Sequence, residues 1–145
     1  MDSAGMFSEN GKGCGYDVTC SPTYPVRGIC PKGWHLPSGE DWRKLIETFG
    51  DTLFADAERK LKSQTDWDSG AGENGTDDYG FSAIPAGFYD GKGDLYDIWT
   101  MALFWLSDET DAIRAHFVEV RSYRSFTREA YFTKNFAYSI RCVKD

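Results

Sequence analysis

The stretch CPKGWHLPSGEDWRKLIETFG, residues 30–50, decides how this chain of 145 residues is expected to fold. Ser38 can cap a helix there, and Asp41 can complete a capping box, in which the two residues satisfy each other's backbone amides. Apolar side chains follow at the spacing i, i+3, i+4 and i+7, which is one helix face, and Gly50 can end the helix. The side chains predicted to face the core are Trp42, Leu45, Ile46 and Phe49.

A second helix is predicted from about Thr52 to Gln64, with apolar residues four apart and Glu58 able to pair with Lys62. Its smaller apolar content predicts a surface position. Further along the chain the apolar period changes to that of strands. The predicted strands are 79–83, 86–89, 98–106, 113–120 and 136–143. In the last of them, one half-buried face carries Phe136, Tyr138, Ile140 and Cys142.

Composition predicts a single globular domain over residues 1–145, because 41% of the residues are hydrophobic and 16% are aromatic, well above a disordered chain. The net charge of -7 and the scattered lysines and arginines exclude a basic patch for nucleic acid. No apolar run approaches the length of about 20 residues that a membrane-spanning helix needs, so no membrane insertion is expected.

Four cysteines allow three complete disulfide pairings, among which the sequence alone does not choose. We favour Cys14 with Cys20, which closes a short loop, and Cys30 with Cys142, which closes almost the whole domain. On chain-entropy grounds the two bonds would contribute about 2 and about 5 kcal/mol. Four buried free thiols are the alternative. A zinc site is not favoured, because the chain has no CxxC pair and only two histidines.

The stretch TDWDSGAGENGTDD, residues 65–78, is predicted to be a long loop and is a candidate calcium site. Calcium prefers hard oxygen ligands, which this stretch supplies in number. An ordinary solvated acidic loop is the alternative. The candidate ligands are Asp66, Asp68, Glu73, Asn74, Asp77 and Asp78.

Aromatic residues in or beside predicted loops are candidate platforms for sugar rings, because Trp and Tyr offer flat apolar surfaces at low entropic cost. These are Trp67, Tyr96 and Trp99. Simple packing beneath the loops is the alternative. Trp42 and Trp105, by contrast, lie on predicted core faces.

Four motifs carry a resemblance to a known family: WHLPSGEDW (34–42), NGTDDYGFSAIPAGFYDG (74–91), FWLSDET (104–110) and SIRCVKD (139–145). In this order they resemble the Fibrobacter succinogenes major paralogous domain family, from about Cys14 onward. Members usually carry residues upstream of the position that matches Met1 and are usually exported. The resemblance therefore implies a chain truncated at its N-terminus and a secreted or bacterial cell-surface location.

The same landmarks are more distantly similar to the formylglycine-generating enzyme family. Both resemblances imply an α+β, C-type lectin-like fold, with two helices flanking a twisted antiparallel sheet and with long loops. The fold implies a disulfide from the start of the first helix to the last strand, where Cys30 and Cys142 lie. Oxidase activity is not expected, because RSYRSFTREAY, residues 121–131, lacks the required cysteine pair.

We therefore expect a noncatalytic recognition or adhesion domain that binds plant cell-wall polysaccharide. A protein-interaction module of a surface assembly is the alternative. A glycosidase is less favoured, because pairs such as Asp108 with Glu109 arise by chance among 23 acidic residues. A monomer or a weak dimer, paired through an exposed sheet edge, is expected.

Overall fold

Two helices and a set of small antiparallel sheets make up the fold, which is therefore α+β. We describe it from a computed structural model, which describes residues 13–49, 57–68, 74–122 and 128–145. The elements are β1 (Trp34–His35), α1 (Gly39–Thr48), α2 (Ala57–Leu61), β2 (Phe88–Tyr89), β3 (Leu95–Tyr96), β4 (Met101–Glu109), β5 (Arg114–Arg121), β6 (Arg128–Thr133) and β7 (Val143–Lys144).

The first helix begins as predicted, at a capping box. The Ser38 hydroxyl accepts a hydrogen bond from the Asp41 amide at 3.2 Å, and the Asp41 carboxylate accepts one from the Ser38 amide at 2.9 Å. A register shift in β4 frees the Ser107 amide to donate to the Pro37 carbonyl at 2.8 Å. The Gly39 amide donates to Asp108 Oδ2 at 2.7 Å, so the irregularity in β4 seats the start of α1 on the sheet.

The central sheet is antiparallel and has the strand order β4-β5-β6. Because side chains alternate along a strand, each face of this sheet builds its own apolar cluster. We call one the helix face, since Phe104 and Val118, which are register partners, pack there with Trp42 and Ile46 of α1. The cluster on the helix face comprises Trp42, Ile46, Phe49, Ala57, Leu61, Trp67, Ala83, Ala102, Phe104, Leu106, Val118 and Val120.

The opposite side of the sheet, which we call the aromatic face, is covered by irregular chain instead of helices. Its buried residues are Leu103, Trp105, Ala115 and Phe117, and they pack against partly buried residues of the chain after β6. Those covering residues include Phe136, Tyr138 and Ile140, which confirms that they share one inward face.

Both favoured disulfides are present, Cys14–Cys20 and Cys30–Cys142, with Cα separations of 5.5 and 5.8 Å. The second joins the lead-in of α1 to the end of the chain, beside the antiparallel pair β1 and β7. The loop closed by the first is also held from outside, because the Lys134 ammonium donates to the Val18 carbonyl at 2.9 Å and contacts Glu109 at 2.6 Å.

The surface position expected of the second helix is wrong. Ala57 and Leu61 are 0% exposed, and even Glu58 is 1% exposed. The Glu58 carboxylate accepts a hydrogen bond from the Arg121 amide, and the Lys62 ammonium donates to the Ser122 carbonyl at 3.2 Å. Polar side chains of this segment therefore point inward to the end of β5. The predicted start of this helix lies outside the described residues.

The strand predictions are correct for β4 and β5 at the centre of the sheet and less accurate elsewhere. β4 and β5 lie within a few residues of the predicted 98–106 and 113–120. Residues 79–83 form no strand, and only Ala83 makes an isolated bridge, with Lys62. The predicted strand at 136–143 is reduced to two bridges, at Ala137 and Ser139, followed by β7. Strand β6 lies outside all of the predicted strands.

Candidate functional site

A pocket of about 370 Å³ opens on the aromatic face, and we call it the aromatic pocket. It lies where the covering chain leaves part of the central sheet open. Strand β5 brings Phe117, Glu119 and Arg121 to this face, because alternate residues of a strand point the same way. The lining residues are Phe88, Asp97, Met101, Leu103, Phe117, Glu119, Arg121, Ala130, Tyr131, Phe132, Phe136 and Tyr138.

One wall of the aromatic pocket is a cluster of packed rings. Phe88 lies 5.8 Å from Phe136 and 5.9 Å from Tyr138, measured between ring centroids. Tyr138 in turn stacks on Trp105 at 4.3 Å. Ring pairs at these separations add about 0.5–1.5 kcal/mol each beyond the burial of their area. The wall is therefore anchored in the core of the aromatic face and is rigid.

Two exposed aromatic rings extend this wall towards solvent. Tyr96 stacks on Phe88 with centroids 5.6 Å apart, and Phe132 meets Phe136 edge to face at 4.9 Å. Tyr96 is 46% exposed and Phe132 is 44% exposed, so each ring is supported on one side and open on the other. A flat, supported ring with one free face can stack on an apolar ligand face.

The hairpin of β2 and β3 that carries Phe88 and Tyr96 approaches β4 closely through Gly87. The Gly87 amide donates to the Met101 carbonyl at 2.9 Å. Gly87 has φ +65°, and a Cβ atom there would lie 2.1 Å from the Tyr96 carbonyl oxygen. Only glycine fits this backbone position, so Gly87 sets the position of the aromatic wall.

The polar groups of the aromatic pocket are an ion pair and an exposed carboxylate. Glu119 is 7% exposed, and its Oε2 accepts a hydrogen bond from an Arg121 terminal nitrogen at 2.8 Å. Asp97, at φ 54°, lies just before β4. Burial, together with the nearby charge of Glu119, raises the pKa of Tyr138 above its ordinary value. Tyr138 therefore presents a neutral hydroxyl beside the ion pair at physiological pH.

The structure divides the three predicted aromatic platforms. Tyr96 does not line the aromatic pocket itself, but its ring stacks on Phe88, which does. Trp99 is 53% exposed but does not line that pocket.

Trp67 is a correction, because it is 4% exposed and belongs to the cluster on the helix face. Its indole N–H lies 3.2 Å from both the Ser63 hydroxyl and the Ala83 carbonyl, and the Lys62 ammonium lies 4.9 Å over its ring. Trp67 packs beneath the loop, and its ring has no free face for a sugar.

The candidate calcium ligands do not gather into a site where the structure describes them. The Asn74 side-chain oxygen accepts from the Trp67 amide at 3.2 Å, and the Asp77 carboxylate accepts from the Ser82 amide at 2.6 Å. Asp66 accepts from the Thr65 hydroxyl at 2.8 Å, while Asp68 and Asp78 are exposed. Glu73 lies outside the described residues.

Across the described residues, no group of three or more His, Cys, Asp or Glu side chains could hold a metal ion. Asn74 and Asp77 instead fix the local backbone.

Sequence reasoning missed most of the aromatic pocket. A local signal existed for Phe117 and Glu119, which stand at alternate positions of the predicted strand at 113–120, and Arg121 lies one residue beyond that strand. No local signal shows that Phe136, beyond the turn after β6, meets Phe88 of the hairpin, or that Phe132 packs against Phe136. In the same described ranges, no helix is long and apolar enough to cross a membrane.

Comparisons with known proteins give one clear result. No curated protein and no solved structure is significantly similar to the chain. The sequence model of the Fibrobacter succinogenes major domain matches residues 8–144. This match covers far more than half of the chain, so the protein belongs to the Fibrobacter succinogenes major domain family.

Proposed function

We propose that this protein is a noncatalytic, extracellular recognition domain that binds a carbohydrate of the plant cell wall in its aromatic pocket. The observation that carries the proposal is the pairing of two exposed, supported rings, Phe132 in the lining and Tyr96 stacked on the lining residue Phe88, with the partly buried ion pair of Glu119 and Arg121. Rings stack on the apolar faces of sugars. Charged side chains that a neighbour holds in place can donate hydrogen bonds to sugar hydroxyls or accept them, and the side chains need not rearrange much to do so.

The size of the aromatic pocket supports this proposal. Its volume of about 370 Å³ falls in the lower part of the range of about 300–1,000 Å³ that small-ligand pockets occupy. Asp97 and Arg121 both line it, so acceptors and donors converge on one space. We infer recognition of one or two sugar units, with the rest of a chain outside.

We also propose the C-type lectin-like fold for this domain. Supporting features are the disulfide from the lead-in of α1 to the end of the chain, the pairing of β1 with β7, and two helices on one face of an antiparallel sheet. Two disulfides are compatible with an oxidising, extracellular environment, where such bonds persist.

A protein partner is the second candidate function, favoured by the exposed apolar residues of the β2–β3 hairpin and the turn after it. Contiguous apolar surface of this kind marks interaction sites. These residues are Tyr89, Leu95, Tyr96, Ile98 and Trp99.

Retention on insoluble cellulose and xylan tests the proposal. Tyr96→Ala and Phe132→Ala each remove one stacking ring, and each is expected to weaken binding about fivefold, for a loss of about 1 kcal/mol. Tyr16→Ala is the matched control, because Tyr16 is 51% exposed but lies in the loop of the short disulfide. Equal losses for Tyr16→Ala and Tyr96→Ala would contradict binding in the aromatic pocket.

A charge substitution tests the polar part of the aromatic pocket. Asp97→Asn is expected to weaken binding about tenfold, because hydrogen bonds to a charged group contribute about 1.5–3 kcal/mol. Asp94→Asn, an exposed change in the same hairpin, should leave binding unchanged. Failure of the wild type to bind any polysaccharide would favour the protein partner. Release of reducing sugar would contradict a noncatalytic role.

A further inference from the structure

A second cavity, of about 440 Å³, lies between α1 and the helix face of the sheet, and we call it the helix-side cavity. It is on the opposite side of the central sheet from the aromatic pocket and shares no lining residue with it. Nothing in the proposed carbohydrate site uses it. A ligand bound there would therefore be independent of the proposed carbohydrate.

The walls of the helix-side cavity are mainly aromatic. Trp42 of α1 meets Phe81 edge to face at 5.9 Å, and Phe81 meets Phe104 of β4 edge to face at 5.8 Å. Aliphatic residues, among them Leu45 and Val118, form other parts of the lining. Edge-to-face rings leave ring edges and faces directed into the cavity. A flat aromatic ligand would extend the same herringbone packing.

The mouth of the helix-side cavity is positively charged, although the protein as a whole carries a net charge of -7. Lys44, Arg141 and Lys144 line it. The Arg141 guanidinium lies 4.4 Å over the Phe81 ring, at the boundary between the aromatic wall and solvent. Within the described part of the chain, no carboxylate lies within salt-bridge distance of Arg141 or Lys144.

Asp41 is the one carboxylate among the described residues that line the helix-side cavity, and its oxygen atoms already have partners. It accepts hydrogen bonds from the Ser38 amide and hydroxyl at 2.9 and 2.6 Å, and it lies 3.6 Å from His35. Lys44 lies 3.6 Å from Glu40 on the exposed side of α1. Arg141 and Lys144 therefore supply positive charge to the cavity, and among the described residues neither has an acidic partner within salt-bridge distance.

We propose that the helix-side cavity binds a small aromatic carboxylate. The ring would lie among Trp42, Phe81 and Phe104, and the carboxylate would meet Arg141 at the mouth. A guanidinium presents two parallel N–H donors to a carboxylate, so Arg141 suits this group better than a lysine would. The volume of about 440 Å³ accommodates one or two rings.

Calorimetric titration with trans-cinnamate, trans-cinnamamide and octanoate tests the proposal, with tryptophan fluorescence as a second readout from Trp42. Cinnamate should bind at least tenfold more tightly than cinnamamide, which has the same ring and no charge. It should also bind more tightly than octanoate, which has the same charge and no ring. Equal binding of cinnamate and cinnamamide, or tighter binding of octanoate, would overturn the proposal.

Three variants locate the site. Arg141→Gln should weaken cinnamate binding about tenfold, and Arg141→Lys should weaken it less. Lys92→Gln is the control, because it removes the same charge from the exposed turn between β2 and β3. Because Arg141 and Lys92 are both exposed, folding should be retained and is checked by the melting temperature. An Arg141→Gln protein that binds cinnamate as tightly as the wild type, or no binding by the wild type at about 10 mM cinnamate, would contradict the proposal.

Discussion

The two faces of the central sheet are covered in different ways. The helix face is covered by α1 and α2, whose apolar side chains pack with Phe104 and Val118 of the sheet, and the helix-side cavity lies between α1 and this face. The aromatic face is covered by a short hairpin and by the irregular chain after β6, which contribute rings and are held to β4 by backbone hydrogen bonds at Gly87 and Ser139. A helix supplies a continuous apolar stripe, whereas irregular chain supplies separate side chains. The aromatic pocket lies within this irregular cover, with Glu119 among its lining residues.

The long disulfide anchors the chain that covers the aromatic face, and its removal should have the largest effect. Cys30 and Cys142 are 112 residues apart, so the chain-entropy estimate of their contribution is about 5 kcal/mol. A Cys30→Ser, Cys142→Ser protein is expected to lose most of its stability in urea unfolding.

The short disulfide provides the control for that experiment. Cys14→Ser with Cys20→Ser, at a separation of 6, should cost about 2 kcal/mol. Similar losses for the two double variants would contradict an anchoring role for the long bond.

Tryptophan substitutions distinguish the interior of the helix face from the exposed surface. Trp67→Ala is expected to destabilise the protein by about 3–5 kcal/mol, because it opens a cavity and leaves the Ser63 hydroxyl and Ala83 carbonyl without the indole donor. Trp99→Ala should change stability by about 0.5 kcal/mol or less. Thermal unfolding of the two variants measures the difference. Equal melting temperatures would show that Trp67 is not a core residue.

The difference between the faces also explains what the sequence could predict. The capping box at Ser38 and the apolar stripe from Trp42 to Phe49 are local signals, and α1 matches them. The motifs around Cys30 and Cys142 also predicted the long disulfide. The burial of Glu58 could not be predicted in this way, because it depends on a backbone amide of Arg121, 63 residues away. Local composition suggested a surface helix there.

The candidate sites show the same limit. The exposure expected of Tyr96 is confirmed, because an aromatic residue beside a turn is a local feature and its ring is 46% exposed. Trp67 was misjudged because polar, glycine-rich neighbours suggest exposure, while its indole partners lie in another part of the fold. Asp77 was read as a metal ligand, although its carboxylate accepts hydrogen bonds from Ser82. A carboxylate in a loop has several uses, and the sequence does not distinguish them.

Gly87→Ala tests how the hairpin is placed on the aromatic face. A methyl group at this position would collide with the Tyr96 carbonyl and the Ile98 amide, at 2.1 and 2.7 Å. The expected cost is about 1–3 kcal/mol, together with weaker polysaccharide binding, because Phe88 and Tyr96 would move.

Gly93→Ala is the control for the backbone conformation alone. Gly93 also has a positive φ, +92°, but a Cβ there has no heavy atom within 4 Å. It should lower stability without weakening binding. Weakened binding in both variants would mean that backbone strain, and not the close approach to β3, controls the aromatic pocket.

The smallest expected effect is a change of stability with pH from Tyr138 on the aromatic face. Its pKa is raised by burial and by the charge of Glu119, so folding favours the protonated phenol. A folded pKa above the unfolded value of about 10 gives a contribution that is fully present below pH 10 and is lost as the pH rises above it. Urea midpoints measured from pH 8 to above pH 10 should therefore fall more steeply for the wild type than for Tyr138→Phe. Parallel curves would show that the phenol is open to solvent, and a loosely covered aromatic face would then replace the rigid ring wall from which the carbohydrate proposal is argued.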